Sequence, residues 1–249
     1  MGFADLHIHS VHSKDGTSSV RGILKHVAMN TDLDVIAITD HDSIGGVSEA
    51  VELAPDYGID VIPGCEVSTS EGHVLALFIH KPIRPGLSLI HTIELIGEQG
   101  GLCIAAHPMA KGTNSLQFPA IFKAVSHPSA YNIFIGIESF NGGLVYTRTN
   151  PYVEALAMAI PLAQVGNSDA HILEAIGQGS SKFYGFTALD LRRSLENGWT
   201  RVRKGKSMDG LDLIRNYLPR YLLRKLGWVS HNYDPSAPIT YRRISQISS

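Results

Sequence analysis

The chain is poor in cysteine, with Cys65 and Cys103 alone among 249 residues. Two thiols cannot build the disulfide framework of a small secreted domain or a four-cysteine metal site. Both lie within or beside strand-like apolar runs, where a reduced thiol packs as a small hydrophobe. No apolar run approaches the ~20 residues needed to span a bilayer, and no basic-then-apolar leader precedes Asp5. A soluble, cytoplasmic protein with no membrane span is therefore expected. Internal repeats and low-complexity tracts are missing as well. Gly177-Gln178-Gly179 lacks the strand and helix that flank a nucleotide-cradling glycine loop, so that site is not expected.

What the chain does have is histidine placed beside carboxylates. Six of its twelve histidines sit in short clusters. These are Asp5-Leu6-His7-Ile8-His9 with Asp15 behind it, Thr39-Asp40-His41-Asp42, Gly64-Cys65-Glu66 leading to His73, Ala106-His107-Pro108, and Asn167-Ser168-Asp169-Ala170-His171. Imidazole nitrogens mixed with carboxylate oxygens suit zinc, iron or manganese rather than magnesium or calcium. Residues two apart on a strand share a face, so His7 and His9 can reach one ion, and Asp169 and His171 repeat the arrangement. One such histidine alone would be an ordinary hydrogen-bonded residue; five clusters together point to a multinuclear metallohydrolase.

Most clusters close an apolar run, as Val35-Ile36-Ala37-Ile38 does before Thr39. Ligands at the C-terminal ends of buried parallel strands are how an α/β barrel builds its active site. Hydrophobic periodicity predicts strands over residues 3 to 9, 35 to 39, 60 to 69, 102 to 106, 133 to 138 and 162 to 166, with 73 to 79 pairing beside the third. Helices are predicted over 19 to 30 (started by Ser18 or Ser19), 46 to 57, 88 to 97, 117 to 125, 152 to 159 and 188 to 197. Residues 114 to 119 and 230 to 238 read as loops. The alternation argues for a parallel barrel, and 249 residues with 44% hydrophobic content suffice for one.

Taken in order, Asp-Leu-His-Ile-His-Ser, Ile-Thr-Asp-His-Asp, Gly-Cys-Glu-Val-Ser, Ala-Ala-His-Pro and Asn-Ser-Asp-Ala-His resemble the motifs of the PHP (polymerase and histidinol phosphatase) phosphoesterases, over roughly residues 3 to 200. The resemblance implies a distorted (β/α)7 barrel. It implies nine metal ligands, His7, His9, Asp15, His41, Glu66, His73, His107, Asp169 and His171, with His80 the alternative to His73. Two or three divalent ions (Mn, Fe or Zn) would be held there, close enough to share an activated water and to stabilise phosphoryl charge. Glu66 is the expected bridge between ions, joined by His7, His9 and Asp169 at one of them. Asp15, Glu66, His107 and His171 are the residues assigned to catalysis. Asp5, Asp40 and Asp42 are placed to accept hydrogen bonds from the metal-binding imidazoles.

A phosphorylated substrate also needs positive charge, for which Arg148 and Lys111 are the candidates. Glu138 and Asn141 fall at the same rim, with a pocket-lining or a loop-orienting role left open. His12 is the one remaining histidine near enough to the metal-binding loop to protonate a leaving group.

The net charge of −2 hides an uneven distribution. Residues 1 to 199 carry 11 Lys and Arg against 20 Asp and Glu, whereas residues 200 to 249 carry 10 against 3. The expected division is a barrel over 1–199 followed by a basic helical extension over 200–249. That extension is expected to bury Leu211, Leu213, Ile214, Leu218, Leu222 and Leu223 against the barrel and leave its charges solvated. Two sharper alternatives are a nucleic-acid patch and an anionic-surface patch. Pro219 should break or kink the helix.

The expected activity is hydrolysis of a small phosphorylated metabolite or nucleotide. Degradation of a short oligonucleotide, amide hydrolysis and a non-catalytic metal-stabilised binding module are the alternatives. No obligate protein partner is evident.

Overall fold

The structure is a computed structural model that describes residues 1–111, 114–234 and 237–247. Seven strands follow one another in hydrogen-bonded order: β1 (Gly2–Ile8), β2 (Val35–Ile38), β3 (Asp60–Ser68), β4 (His73–Leu77), β5 (Leu102–Ala105), β6 (Phe134–Asn141) and β7 (Ala163–Asn167). All neighbouring pairs are parallel except those of β4, which runs antiparallel to both β3 and β5. Only four residues, 69–72, separate β3 from β4, too few for a parallel crossover, so the chain turns straight back. Two further strands, β8 (Gly179–Phe183) and β9 (Arg201–Lys204), continue the sheet antiparallel beyond β1.

The result is the distorted barrel expected, nearly closed by two different devices. At the end where the histidine clusters lie, the His9 N–H donates to the Ala170 carbonyl at 2.9 Å and the Ala170 N–H to the His7 carbonyl at 3.1 Å. Further down, β8 intervenes, and the Ser181 hydroxyl accepts from the Gly166 N–H and donates to its carbonyl, both at 3.0 Å. This seam leaves no room for side chains. A Cβ on Gly179 would lie 2.2 Å from the Asn167 carbonyl oxygen, and one on Gly166 would lie 2.8 Å from that of Ser180. Gly179, Ser180 and Ser181 of β8 meet that need at the expense of the β-branched composition that would announce a strand.

Helices α1 (Val20–Asn30), α2 (Val47–Tyr57), α3 (Leu89–Glu98), α4 (Phe118–Val125), α5 (Asn150–Ala157) and α6 (Ala188–Glu196) pack outside the sheet. Ser19 caps α1, Ser88 caps α3, and Thr187 with Asp190 forms a reciprocal capping box on α6. Inside the barrel, Ala4, Leu6, Ile62, Leu75, Ile104 and Val165 fill one continuous core, each large side chain contributing about 1.5–3 kcal/mol by burial.

The segment after residue 199 departs from the helical extension expected. β9 joins the main sheet, and β10 (Trp228–Asp234) with β11 (Ala237–Arg243) forms a hairpin across the stretch read as a loop, of which residues 235–236 lie outside the described residues. Between them run a short helical turn α7 (Gly210–Asp212), a π-helical segment (Leu213–Tyr217) and α8 (Leu218–Lys225). The π turn ends two residues before Pro219, whose missing N–H and bulky ring disfavour a regular α-helix there. The expected burial is also reversed. Leu211, Ile214, Leu218 and Leu222 are exposed, while Arg220 is buried against Glu174.

The β7–β8 seam predicts that Gly179→Ala costs on the order of 1–3 kcal/mol, the scale of overpacking a tight site. A urea unfolding midpoint unchanged from that of the native chain would contradict the seam.

Candidate metal centre

All nine candidate ligands come to one end of the barrel, and the strand directions explain why. His7 is the last residue but one of β1, and His9 follows the strand. His41 follows β2, Glu66 lies near the end of β3, His107 follows β5, and Asp169 and His171 follow β7. His73 is the first residue of β4, and because β4 runs backwards its start lies at the same end. The rival His80 is exposed beyond the far end of β4 and is not brought to the cluster.

Bulges aim the side chains. The register of β1 against β2 shifts between Asp5 and Ile8, and that of β6 against β7 shifts between Glu138 and Phe140. An extra residue on β1 lets Leu6 fill the barrel core while the adjacent His7 also turns inward. His107 and Asp169 take left-handed backbone angles, φ of 28° and 53°, a sparsely populated region for such residues that concentrates at functional sites.

Glu66 is the centre of the constellation and is fully buried. Its Oε1 lies 2.7 Å from His73 Nδ1 and 2.8 Å from His107 Nε2. Its Oε2 lies 3.0 Å from His41 Nδ1, 3.2 Å from His7 Nε2 and 3.4 Å from His9 Nε2. Beside it, Asp169 Oδ1 sits 3.2 Å from His9 Nε2 and 3.4 Å from His7 Nε2. Asp15 Oδ2 sits 3.4 Å from His171 Nε2 and 3.5 Å from His41 Nε2. Burial alone would raise these carboxyls. The surrounding imidazoles, His7 foremost for Glu66 and Asp169 and His171 for Asp15, instead hold them well below the ordinary carboxylate range.

Several of these close contacts are not hydrogen bonds. His7 Nε2, His41 Nδ1, His73 Nδ1 and Glu66 Oε2 are buried without a hydrogen-bond partner among the described residues. Orphaned polar atoms of this kind are costly in a dry interior unless something else satisfies them. Four sets of donor atoms converge to within 4.8 Å of one another: His7, His9 and Glu66; His7, His107 and Asp169; His41, Glu66 and His73; and His9, Asp15, His41 and His171. Nitrogen and oxygen lone pairs brought to shared points fit divalent ions of the zinc, iron or manganese type.

The other ring nitrogens are mostly anchored. His7 Nδ1 meets Glu138 Oε1 at 2.9 Å, His107 Nδ1 meets Ser115 Oγ at 3.0 Å, and His171 Nδ1 meets the Asp169 carbonyl at 2.9 Å. His73 uses Nε2 toward Ser68 Oγ at 3.3 Å. These contacts fix the tautomers so that the free nitrogen faces the cluster.

The expected imidazole acceptors are thereby corrected. Asp5 accepts from the backbone N–H groups of His7, Ser168 and Gly177, Asp40 from the N–H and hydroxyl of Ser10, and Asp42 from the N–H and hydroxyl of Ser68. They hold the loops that carry ligands rather than the rings themselves. Burial pushes the carboxyls of Asp5 and Asp40 up to about 6.

Glu138 does what those three were expected to do. It accepts from the His107 N–H at 2.6 Å, Asn167 Nδ2 at 2.7 Å and Asn141 Nδ2 at 3.2 Å, besides meeting His7. Asn141 Nδ2 also reaches Asp169 Oδ2 at 3.3 Å. Sequence analysis left both residues open; a buried carboxylate at the end of β6, in line with the ligands of β5 and β7, was the available signal.

Arg148 and Lys111 are not brought to the centre. Both are exposed and make no ion pair among the described residues, and Arg148 lines an outer depression with Val145 and Met208. Residues that sequence reasoning did not single out flank the cluster instead. Tyr146 stacks on the His107 ring at 4.5 Å, Tyr217 meets the His171 ring edge-on at 6.1 Å, and Arg224 donates to the carbonyls of Val11 and Ser13 in the loop leading to Asp15.

A profile of the PHP domain matches residues 5–152. The chain belongs to the PHP family. A PHP-associated profile follows at residues 147–200. The 5′-3′ exoribonuclease of Haemophilus influenzae is 29% identical over 196 residues, 77% of this chain and 63% of that protein. A 3′,5′-nucleoside bisphosphate phosphatase of Chromobacterium violaceum is 36% identical over 92 residues, 35% of this chain and 31% of that one. Among solved structures, a Bacteroides vulgatus two-domain protein containing a predicted PHP-like metal-dependent phosphoesterase shares the fold, with a TM-score of 0.66 at 19% identity, over 96% of this chain and 74% of that one. As a PHP protein the chain is a metal-dependent hydrolase of phosphate esters. No helix among the described residues is long and apolar enough to cross a membrane.

Because Glu138 holds the His7 ring and the His107 backbone, Glu138→Gln should weaken metal affinity ~10–100-fold, as loss of a ligand-supporting carboxylate does elsewhere. Competition with a chromogenic chelator measures this, and native affinity in the variant would show that Glu138 has no such role.

Proposed function

We propose that the chain removes a phosphoryl group from a nucleotide or a comparably small phosphorylated metabolite, with two or three manganese, iron or zinc ions held by the nine clustered ligands. The observation that carries this reading is the Glu66 carboxylate, buried among five imidazole nitrogens with its two oxygens facing different histidines. Such a carboxylate suits two ions at once. Bound divalent ions would lower the pKa of water toward neutrality and offset charge on the phosphoryl oxygens.

The chain's own residues set the direction of approach. The side chains of His7 and Glu66 have no exposed surface, whereas Asp15 and His171 keep 23% and 21% of theirs. The substrate phosphoryl group therefore enters over Asp15, His41 and His171. Tyr146 covers the opposite side of the cluster at His107 and keeps bulk water from it. Arg224, bound to the Val11 and Ser13 carbonyls, steadies the loop that presents Asp15.

Exonucleolytic action is the second reading, favoured by likeness to the exoribonuclease over 77% of the chain. The basic residues of the tail give it little help. Arg203 pairs with Asp32, Lys204 with Glu154, and Lys206 with Asp209 and Asp212. Cations already engaged by carboxylates gain less from a phosphate backbone. Neutralising Arg201, Arg203, Lys204 and Lys206 together should leave the salt slope of oligonucleotide binding unchanged; a drop of about one unit per residue would restore the tail as a polyanion guide.

The direct test is phosphate release by metal-reconstituted protein from phosphomonoesters, nucleoside 3′,5′-bisphosphates and short oligonucleotides. Turnover of at least one small phosphoester is expected, falling on the order of 100-fold or more in Asp169→Asn and His41→Ala with unchanged circular dichroism. Full metal loading without release from any substrate, or undiminished turnover in both variants, would reject the proposal.

A further inference from the structure

One polar group beside the metal centre has no work among the ligands and their anchors. Tyr146 closes the short turn Leu144–Tyr146 that follows β6. Its ring lies flat on that of His107, with centroids 4.5 Å apart and planes 1° from parallel. Gly143 packs against the same ring so closely that a Cβ there would lie 3.0 Å from it. The Tyr146 N–H donates to the Gly143 carbonyl at 3.2 Å, and the Gly143 N–H to Asn141 Oδ1 at 2.8 Å. The ring is therefore fixed to the end of β6 and to a ligand at once.

Its hydroxyl is left over. It makes no hydrogen bond among the described residues, and unlike the orphaned atoms of His7, His41 and His73 it is not shut off from solvent. The charges that act on it show where it points. Burial and the Asp169, Glu66 and Glu138 carboxylates push the phenol above its ordinary range, and Asp15 adds to them. Asp15 stands across the cluster from His107, against His41 and His171. Charges beyond ~10 Å are largely screened, so a hydroxyl that feels Asp15 as well as Glu66 overhangs the cluster instead of turning outward.

A donor in that place needs an acceptor, and a phosphate ester brings one. Charge spreads over the non-bridging oxygens of a phosphoryl group during transfer, and neither Arg148 nor Lys111 reaches the centre to meet it. A neutral phenol can donate there without competing with bound cations, as lysine or arginine would.

We propose that the Tyr146 hydroxyl donates a hydrogen bond to a non-bridging oxygen of the phosphoryl group during its transfer to water. Tyr146 is then a catalytic residue as well as a cover over His107. This role rests on phosphoester hydrolysis at the metal centre.

Tyr146→Phe keeps the ring on His107 and removes one oxygen, so it separates the two roles. In manganese-reconstituted protein, kcat for a phosphoester that the native chain turns over should fall on the order of 100-fold, with KM close to native. The reason is that the bond strengthens only as charge builds in the transition state. Affinity for orthovanadate, which takes the five-coordinate shape of a transferring phosphoryl group, should fall by a similar factor in titration calorimetry. Metal equivalents per chain should match those of the native protein. Native kcat, native orthovanadate affinity or a loss of metal in the phenylalanine variant would each overturn the proposal. If the native chain turns over no phosphoester, hydrolysis itself fails, and orthovanadate affinity then decides the tyrosine separately.

Discussion

Everything at the metal-binding end of this barrel depends on placing the Glu66 carboxylate in a fully dry interior. An unpaired buried carboxylate would cost several kcal/mol, and nothing cationic of fixed charge lies against this one among the described residues. Five imidazoles surround it, and those of His7, His41 and His73 meet it without hydrogen-bond geometry. Buried Asp169 and Glu138 deepen the negative field. Divalent cations would resolve the conflict, because they satisfy orphaned lone pairs and carboxylate charge together. The left-handed backbone at His107 and Asp169, the bulges on β1 and β6, and the reversed strand β4 all serve to bring donor atoms around that one carboxylate.

Around the cluster runs a division of labour among carboxylates that sequence spacing does not distinguish. Asp5, Asp40 and Asp42 lie within a residue or two of candidate ligands, as imidazole acceptors would, yet each takes backbone and serine hydrogen bonds and fixes a loop. Glu138 stands far from every ligand in sequence and contacts two of them, His7 through the ring and His107 through the backbone. The difference is topological. β6 lies between β5 and β7, so its C-terminal end reaches the centre of the ligand arc. Strand order, which a single chain of motifs does not specify, decides which carboxylate faces a ring.

The motifs made the clustering of the nine candidate residues and the barrel legible because they combine a chemical requirement with a positional one, ligand types at strand ends. Elements without such a double signal were not legible. β8 must be small-sided to fit the seam against β7, so its sequence looks like a turn. β9 and the β10–β11 hairpin lie where basic residues and helical spacing dominate the pattern. Amphipathic spacing in the tail correctly implied a helix with two faces, but spacing cannot say which face turns inward. Half-buried Glu174 and the carbonyls of Val11 and Ser13 attract Arg220 and Arg224 more strongly than the barrel attracts leucine, and the leucines are left outside. Arg148 and Lys111 were chosen for their loops alone, and the loops carry them to the outer surface.

Metal stoichiometry is the measurement that tests the account most directly. Elemental analysis of the folded chain, after reconstitution with manganese, iron or zinc and removal of loosely bound ions, should find two to three equivalents per chain, roughly what a shared carboxylate bridge and four converging donor sets require. A folded chain that retains no metal would contradict it, since Glu66 and its imidazoles would then be stable in one another's company alone.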